Sequence, residues 1–279
     1  MRLDSKREIK NLLQKYGIQP SKGLGQNFLI DRGTVKKVVE AAELTKKDVV
    51  LEIGPGLGVL TQEVAKKARR VIAVEKDPKM VKILKETLKG YPHIQIIQAD
   101  IRKINPNFYK VVANLPFYLT APVIRKFLES EKPAKEMTLV VQKEVGQRIC
   151  ARVPEMNLLA VSVQFYAIPK IISYISKKSF WPQPKVDGAI IKIVPTVISK
   201  KSTIVDFFDI EQRNLFFKIV KAGFSQPRKQ LINNLSRGLK LKREKTENWL
   251  LKNKIQPTQR AETLTIENWL KLTKTYLKH

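Results

Sequence analysis

The sequence predicts an α/β fold, a mostly parallel seven-stranded sheet with helices on both faces, followed by a small all-helical domain. Three observations carry this expectation. First, five short apolar runs (Val49–Ile53, Val71–Glu75, Ile94–Ala99, Val111–Ala113 and Met137–Val141) recur with helical patterns between the early ones. Strands covered on both faces read as such runs rather than as alternation. Second, Ile168–Ile175 and Ala189–Val194 are two later strand-like runs, spaced to add a hairpin-like pair at one edge. Third, the character changes after Pro195, and beyond a linker the chain is helical: Glu211–Ala222, Lys229–Leu239, Glu244–Asn253 and Ile266–Leu277. These features divide the chain into an α/β domain with an N-terminal helical extension, 1–198, and a helical domain, 199–279, with a linker over 196–210.

The elements follow in order. Residues 1–30 hold a polar helical stretch and a Gly-rich connection from Lys22 to Leu29. Asp31 is placed to cap the next helix, where Val35, Val38, Val39 and Ala42 fall at helical spacing. Leu57–Lys67 and Pro78–Lys89 read as the helices after the first two strands. Pro227 and Pro257 separate the helices of the tail.

Composition narrows the function. The chain has 279 residues, 43% hydrophobic, enough for a sizeable core. One cysteine and two histidines exclude a disulfide framework and leave no thiolate-rich or histidine-centred metal site, so no metal is expected. Cys150 reads as inert and His93 as a turn residue. No apolar run reaches the roughly 18 residues of a membrane span. Met1–Lys15 carries no apolar signal core, so a cytoplasmic location and no membrane partner are expected. The 53 Lys and Arg outweigh 25 Asp and Glu, giving a net charge of +28. A chain so basic points to nucleic acid, because neutralising phosphates releases counterions.

The strongest local motif is Glu52-Ile53-Gly54-Pro55-Gly56-Leu57-Gly58, between a strand and a helix. Glycines there let the backbone turn tightly and approach a ligand. Glu75, ending the second strand, is placed to accept from ribose hydroxyls. Dinucleotide enzymes and S-adenosylmethionine (SAM) enzymes share this constellation. Two features favour SAM. Asp100, after the third strand, can accept from an adenine amino group. The fourth strand ends in Asn114-Leu115-Pro116-Phe117.

That tetrapeptide suits methylation of an exocyclic amine. Pro116 holds Leu115 extended and removes a backbone donor. The Asn114 side-chain oxygen and a nearby backbone carbonyl can both accept from one NH2 group, and Phe117 offers a flat platform. Adenine N6 is a poor nucleophile because its lone pair is delocalised. Two acceptors out of the ring plane favour a pyramidal nitrogen, and a π-face stabilises its growing positive charge. Phe180, in the Pro-rich segment Phe180–Gly188, is assigned to stack on the base, and Trp181 to the core.

In order, Gly25-Gln26-Asn27-Phe28-Leu29, the glycine motif, Asn114-Leu115-Pro116-Phe117, Gln142-Lys143-Glu144-Val145 and Pro184-Lys185-Val186-Asp187 resemble the ribosomal RNA adenine N6,N6-dimethyltransferases. The small-subunit (16S) branch is the nearest. The tail segments Arg228-Lys229-Gln230-Leu231 and Arg260-Ala261-Glu262-Thr263-Leu264 extend the resemblance. It implies a Rossmann-like SAM-dependent methyltransferase, with SAM held by Asn27, Leu29, Gly54, Glu75, Asp100 and Asn114. It also implies that Asn114, Leu115 and Phe117 hold the target amine, with Phe180 on the base. The implied substrate is two adjacent adenines in a 3′-terminal hairpin loop of small-subunit rRNA, within the immature 30S subunit. A monomer is expected. Phe117 departs from that branch's usual Tyr and occurs in the large-subunit (23S), antibiotic-resistance branch, which stays open as an alternative. A non-catalytic rRNA-binding assembly factor is the alternative from another class.

Overall fold

The computed structural model of the protein describes residues 3, 5–20, 25–105, 109–196 and 208–276. Helix α1 (Lys6–Lys15) is capped by Ser5, whose hydroxyl accepts from the Glu8 N–H at 3.2 Å. Its Ile9, Leu12 and Leu13 pack in a cluster with Phe28, Leu57, Met80 and Ile83. Strand β1 (Phe28–Leu29) leads into α2 (Arg32–Ala41). Asp31 caps α2 as the sequence predicts, accepting from the Thr34 N–H at 2.8 Å, and Val35, Val38 and Val39 are buried.

Then follow β2 (Val49–Ile53), α3 (Val59–Lys67), β3 (Arg70–Glu75), α4 (Pro78–Thr87), β4 (Ile94–Gln98) and β5 (Lys110–Asn114). Next come α5 (Thr120–Leu128), β6 (Glu136–Gln142), α6 (Lys143–Ile149), α7 (Leu158–Gln164), β7 (Ala167–Ile175), β8 (Phe180–Trp181) and β9 (Gly188–Pro195). The last four helices are α8 (Ile210–Gly223), α9 (Leu231–Leu239), α10 (Arg243–Lys252) and α11 (Ile266–Tyr276).

The main sheet has seven strands in the order β4-β3-β2-β5-β6-β9-β7. Its first five are parallel neighbours, and β9 runs antiparallel to β6. From β2 the chain winds outward through β3 and β4, then returns to the other side of β2 at β5. Connections leave in opposite directions at β2 and β5, so a crevice opens beyond their carboxyl ends. The glycine motif follows β2, and Asn114 ends β5. The two late strands are neighbours as expected, with β9 placed between β6 and β7.

Some elements left no signal. A second sheet pairs β1 with β8, matching Phe28 with Trp181 and Leu29 with Phe180. Strands of two residues are too short to show a period. Helices α5, α6 and α7 also lie where the sequence suggests no element.

The chain forms two compact units, Met1–Gly146 with Pro169–Ile198, and Gln147–Ile168 with Ser199–His279. The division at 198 recurs here, but the assignment of residues 147–168 to the first domain needs correction. Residues 147–168 belong with the C-terminal helices, because their aromatic side chains are buried there. The Phe165 ring lies 4.4 Å from the Phe216 ring and 6.1 Å from the Phe208 ring, centre to centre. The Met156 N–H donates to the Glu262 carbonyl at 3.0 Å. Most of the predicted 196–210 linker lies outside the described residues.

Candidate active site

A cleft of about 990 Å³, its open mouth included, lies at the carboxyl ends of β2, β3 and β5. Asn27, Leu29, Gly54, Glu75, Asp100 and Asn114 all line it. Its glycine wall requires glycine: Gly54, Gly56 and Gly58 have φ of 64°, 58° and 87°, a region other residues rarely adopt. At Gly56 sterics add to this, because a Cβ would fall 3.0 Å from the Phe28 ring. The Phe28 side chain, carried by β1, thus lies directly against the turn.

Glu75 is built into this wall. Its Oε2 accepts from the Gly56 N–H at 3.1 Å and its Oε1 from the Asp77 N–H at 2.9 Å. Burial raises its pKa, and the backbone donors of Asp77, Gly56 and Lys76 oppose that rise. Two donors fix the carboxylate while each oxygen keeps acceptor capacity for a ribose.

Asn114 connects the cofactor wall to the chemistry. Its Nδ2 donates to the Asn27 carbonyl at 2.9 Å, which orients the amide and leaves Oδ1 to accept. Beyond it the Leu115 N–H donates to the Val140 carbonyl at 3.2 Å, and the Leu115 side chain is buried. Leu115 can therefore serve a ligand only through its backbone. Pro116 sits at φ −55° and ψ 135°, starting the short 3-10 turn Phe117–Leu119. The Gln26–Leu29 segment is fastened beside this rim. Gln26 Nε2 donates to Asp77 Oδ2 at 3.0 Å, and Gly25 packs so closely on Pro116 that a Cβ would approach its ring to 3.1 Å.

Asp100 lies at the far end, with its side chain 15% exposed. The Arg102 guanidinium grips both oxygens, Nε to Oδ1 at 3.0 Å and Nη2 to Oδ2 at 2.6 Å. That contact holds the Asp100 carboxyl far below the usual carboxylate range.

Three predicted residues do not line the cleft: Leu115, Phe117 and Phe180. Phe117 is half-buried beside the rim, next to Tyr118, which is 51% exposed. Phe180 needs correction as a stacking platform. It is 6% exposed and sits in the core with Leu29, Val35, Ile175 and Ile190. Pairing with β1 turns it inward, and Trp181 is the half-buried neighbour, with Lys10 Nζ 5.9 Å from its ring centre.

The structure adds Glu52, which the sequence offered only as part of a motif. It lines the cleft, is 1% exposed, and its Oε2 has no hydrogen-bond partner. Burial pushes its pKa up to about 8, opposed by the nearby Thr61 hydroxyl and helped to a lesser extent by the Glu75 charge. A carboxyl inside the apolar run Val49–Ile53 was the available signal. An orphaned buried oxygen, a glycine cradle and a backbone-held carboxylate fit a cofactor with polar groups at both ends.

Fold and cleft together define a Rossmann-like SAM-dependent methyltransferase. The chain belongs to the ribosomal RNA adenine dimethylase family, whose model matches residues 19–278. It is similar to the ribosomal RNA small subunit methyltransferase A of Dehalococcoides mccartyi, 42% identical over 95% of this chain and 91% of the relative. The protein of that name from Alkaliphilus oremlandii is 39% identical, covering 96% of each chain. Among solved structures it is similar to a dimethyladenosine transferase from Plasmodium falciparum, with a TM-score of 0.73 and 25% identity over 89% of this chain and 96% of the other. The 23S rRNA methyltransferase ErmE matches with a TM-score of 0.71 and 27% identity over 89% of this chain and 98% of the other.

Proposed function

We propose that this SAM-dependent rRNA adenine dimethyltransferase acts on small-subunit rRNA, methylating twice the N6 of two adjacent adenines in a 3′-terminal hairpin loop. Its partner in this reading is the immature small subunit, met in the cytoplasm by a monomer. The relatives named for the small subunit match nearly the whole chain at about 40% identity. The observation that carries the chemistry is the Asn114 amide, whose Nδ2 is tied to the Asn27 carbonyl so that Oδ1 is the end left for an amine.

The cofactor supplies an electrophilic methyl carbon on a sulfonium. Glu75 would hold its ribose, Asp100 its adenine amine, and Asn27, Leu29, Gly54 and Asn114 would form the remaining walls. Asn114 Oδ1 and the Leu115 carbonyl accept from the target N6, keeping its lone pair out of the ring plane. The Phe117 face stabilises the charge that develops on nitrogen, a contribution of about 0.5–2 kcal/mol. Each transfer forms a C–N bond as the C–S bond breaks to a neutral thioether, and the N6 proton, made acidic by attack, passes to water at the open mouth, so no strong base is required. Phe180 acts from the core, backing Leu29 through the β1–β8 pair.

The test is to incubate the protein with immature small subunits, or with large-subunit RNA, and labelled SAM. Label in small-subunit RNA, mapping to two adjacent adenines, is expected. Label in large-subunit RNA alone would favour the branch that shares Phe117 and overturn this assignment.

A further inference from the structure

The carboxylate assigned to the cofactor's adenine is already saturated. Asp100 Oδ1 takes the Arg102 backbone N–H at 3.0 Å and Arg102 Nε at 3.0 Å. Its Oδ2 takes Arg102 Nη2 at 2.6 Å and lies 3.3 Å from Lys76 Nζ. A carboxylate has about four lone-pair sites, so an adenine amine can be accepted only if a donor leaves. The backbone donor is fixed within the 3-10 turn Ile101–Lys103, where Ile101 is buried and Lys126 Nζ donates to the Arg102 carbonyl at 2.8 Å. The side chains of Arg102 and Lys76 are free to move, each 58% exposed. Arg102 makes three of the four side-chain contacts, and its exposed guanidinium can be solvated again when it leaves the carboxylate.

Arg102 lines the same mouth as exposed Tyr118, next to Phe117 where the target adenine is placed. A guanidinium released there meets the RNA strand, and its planar fork suits a phosphate. We propose that Arg102 is a latch between the two substrates: it closes on Asp100 in the free protein, yields to the cofactor's adenine amine, and then engages a phosphate of the bound RNA. Arg102 is thus a positioning residue, and cofactor and RNA each favour the state the other needs. Such coupling is reciprocal, with the same factor in both directions.

This inference rests on the RNA-adenine reading above, and the test separates the two. Affinity for S-adenosylhomocysteine, which cannot react, is measured by calorimetry with and without an RNA hairpin carrying two adjacent loop adenines. The wild type, Arg102→Ala and Arg102→Lys are compared, with thermal melts to check folding. In the wild type, each ligand is expected to tighten the other by about fivefold or more. Arg102→Ala should bind the cofactor product alone several-fold more tightly and show a coupling factor near one. Arg102→Lys, a point charge without the fork, should fall between. Weaker cofactor binding by Arg102→Ala, or coupling as large as in the wild type, overturns the latch. Failure of the wild type to bind the hairpin would overturn the substrate reading instead, while the cofactor affinity of Arg102→Ala still decides whether Arg102 competes for Asp100.

Discussion

The two rims of the cleft are built differently. On the cofactor side, Gly56 and Asp77 N–H groups hold the buried Glu75 carboxylate, and the glycine turn packs against Phe28. On the target side, one side-chain hydrogen bond orients Asn114, Phe117 is half-buried and Tyr118 exposed. Binding thus draws on interactions fixed during folding. Chemistry depends on a few groups at an open rim, as suits a site whose second substrate is a large RNA. Groups matched to the transition state raise turnover without tightening the ground state.

The largest expected effect separates core from rim. Phe180→Ala removes a buried ring and should destabilise the fold by about 3–5 kcal/mol, whereas Phe117→Ala should leave the melting temperature nearly unchanged and lower turnover. Thermal melts beside single-turnover methyl transfer check this. Equal stability losses would erase the distinction drawn here. Next, Asn114→Ala should reduce the rate of methyl transfer by about 10²–10³, the loss typical of one preorganised group at developing charge. Its affinity for S-adenosylhomocysteine should change far less. A parallel fall in both would place Asn114 on the binding side.

The last comparison is a slope rather than a single loss. Glu52 is shifted upward in the folded protein, from 4.5 to about 8. Between those values the folded state holds a proton that the unfolded state has lost, so stability falls as pH rises through that window and is flat beyond it. The steepest contribution is about 1.4 kcal/mol per pH unit. Denaturant melts of Glu52→Gln across the window should show that decline removed. An unchanged slope would mean that another group sets it.

Among the described residues, the cofactor half was more legible than the target half. Gly54, Glu75 and Asp100 each end or follow a strand at a readable spacing, and all three line the cleft. Phe180 was misread because an aromatic in a Pro-rich segment looks the same whether it faces a ligand or a core. Only its pairing with β1, across some 150 residues of chain, points it inward. Residues 147–168 were misassigned for a related reason. Their aromatic partners, Phe208 and Phe216, lie far ahead in sequence, and local periodicity carries no record of such contacts.

By itself the sequence determined the strand–helix alternation, the Asp31 cap, the glycine turn and the residue types gathered at the strand ends. All of these follow from short-range preferences of backbone and side chain. The tertiary structure alone decided which end of the Asn114 amide stays open and that burial raises the Glu52 pKa. Each of these depends on burial or on a partner brought close by folding, and electrostatics and hydrogen bonding act across space rather than along the chain.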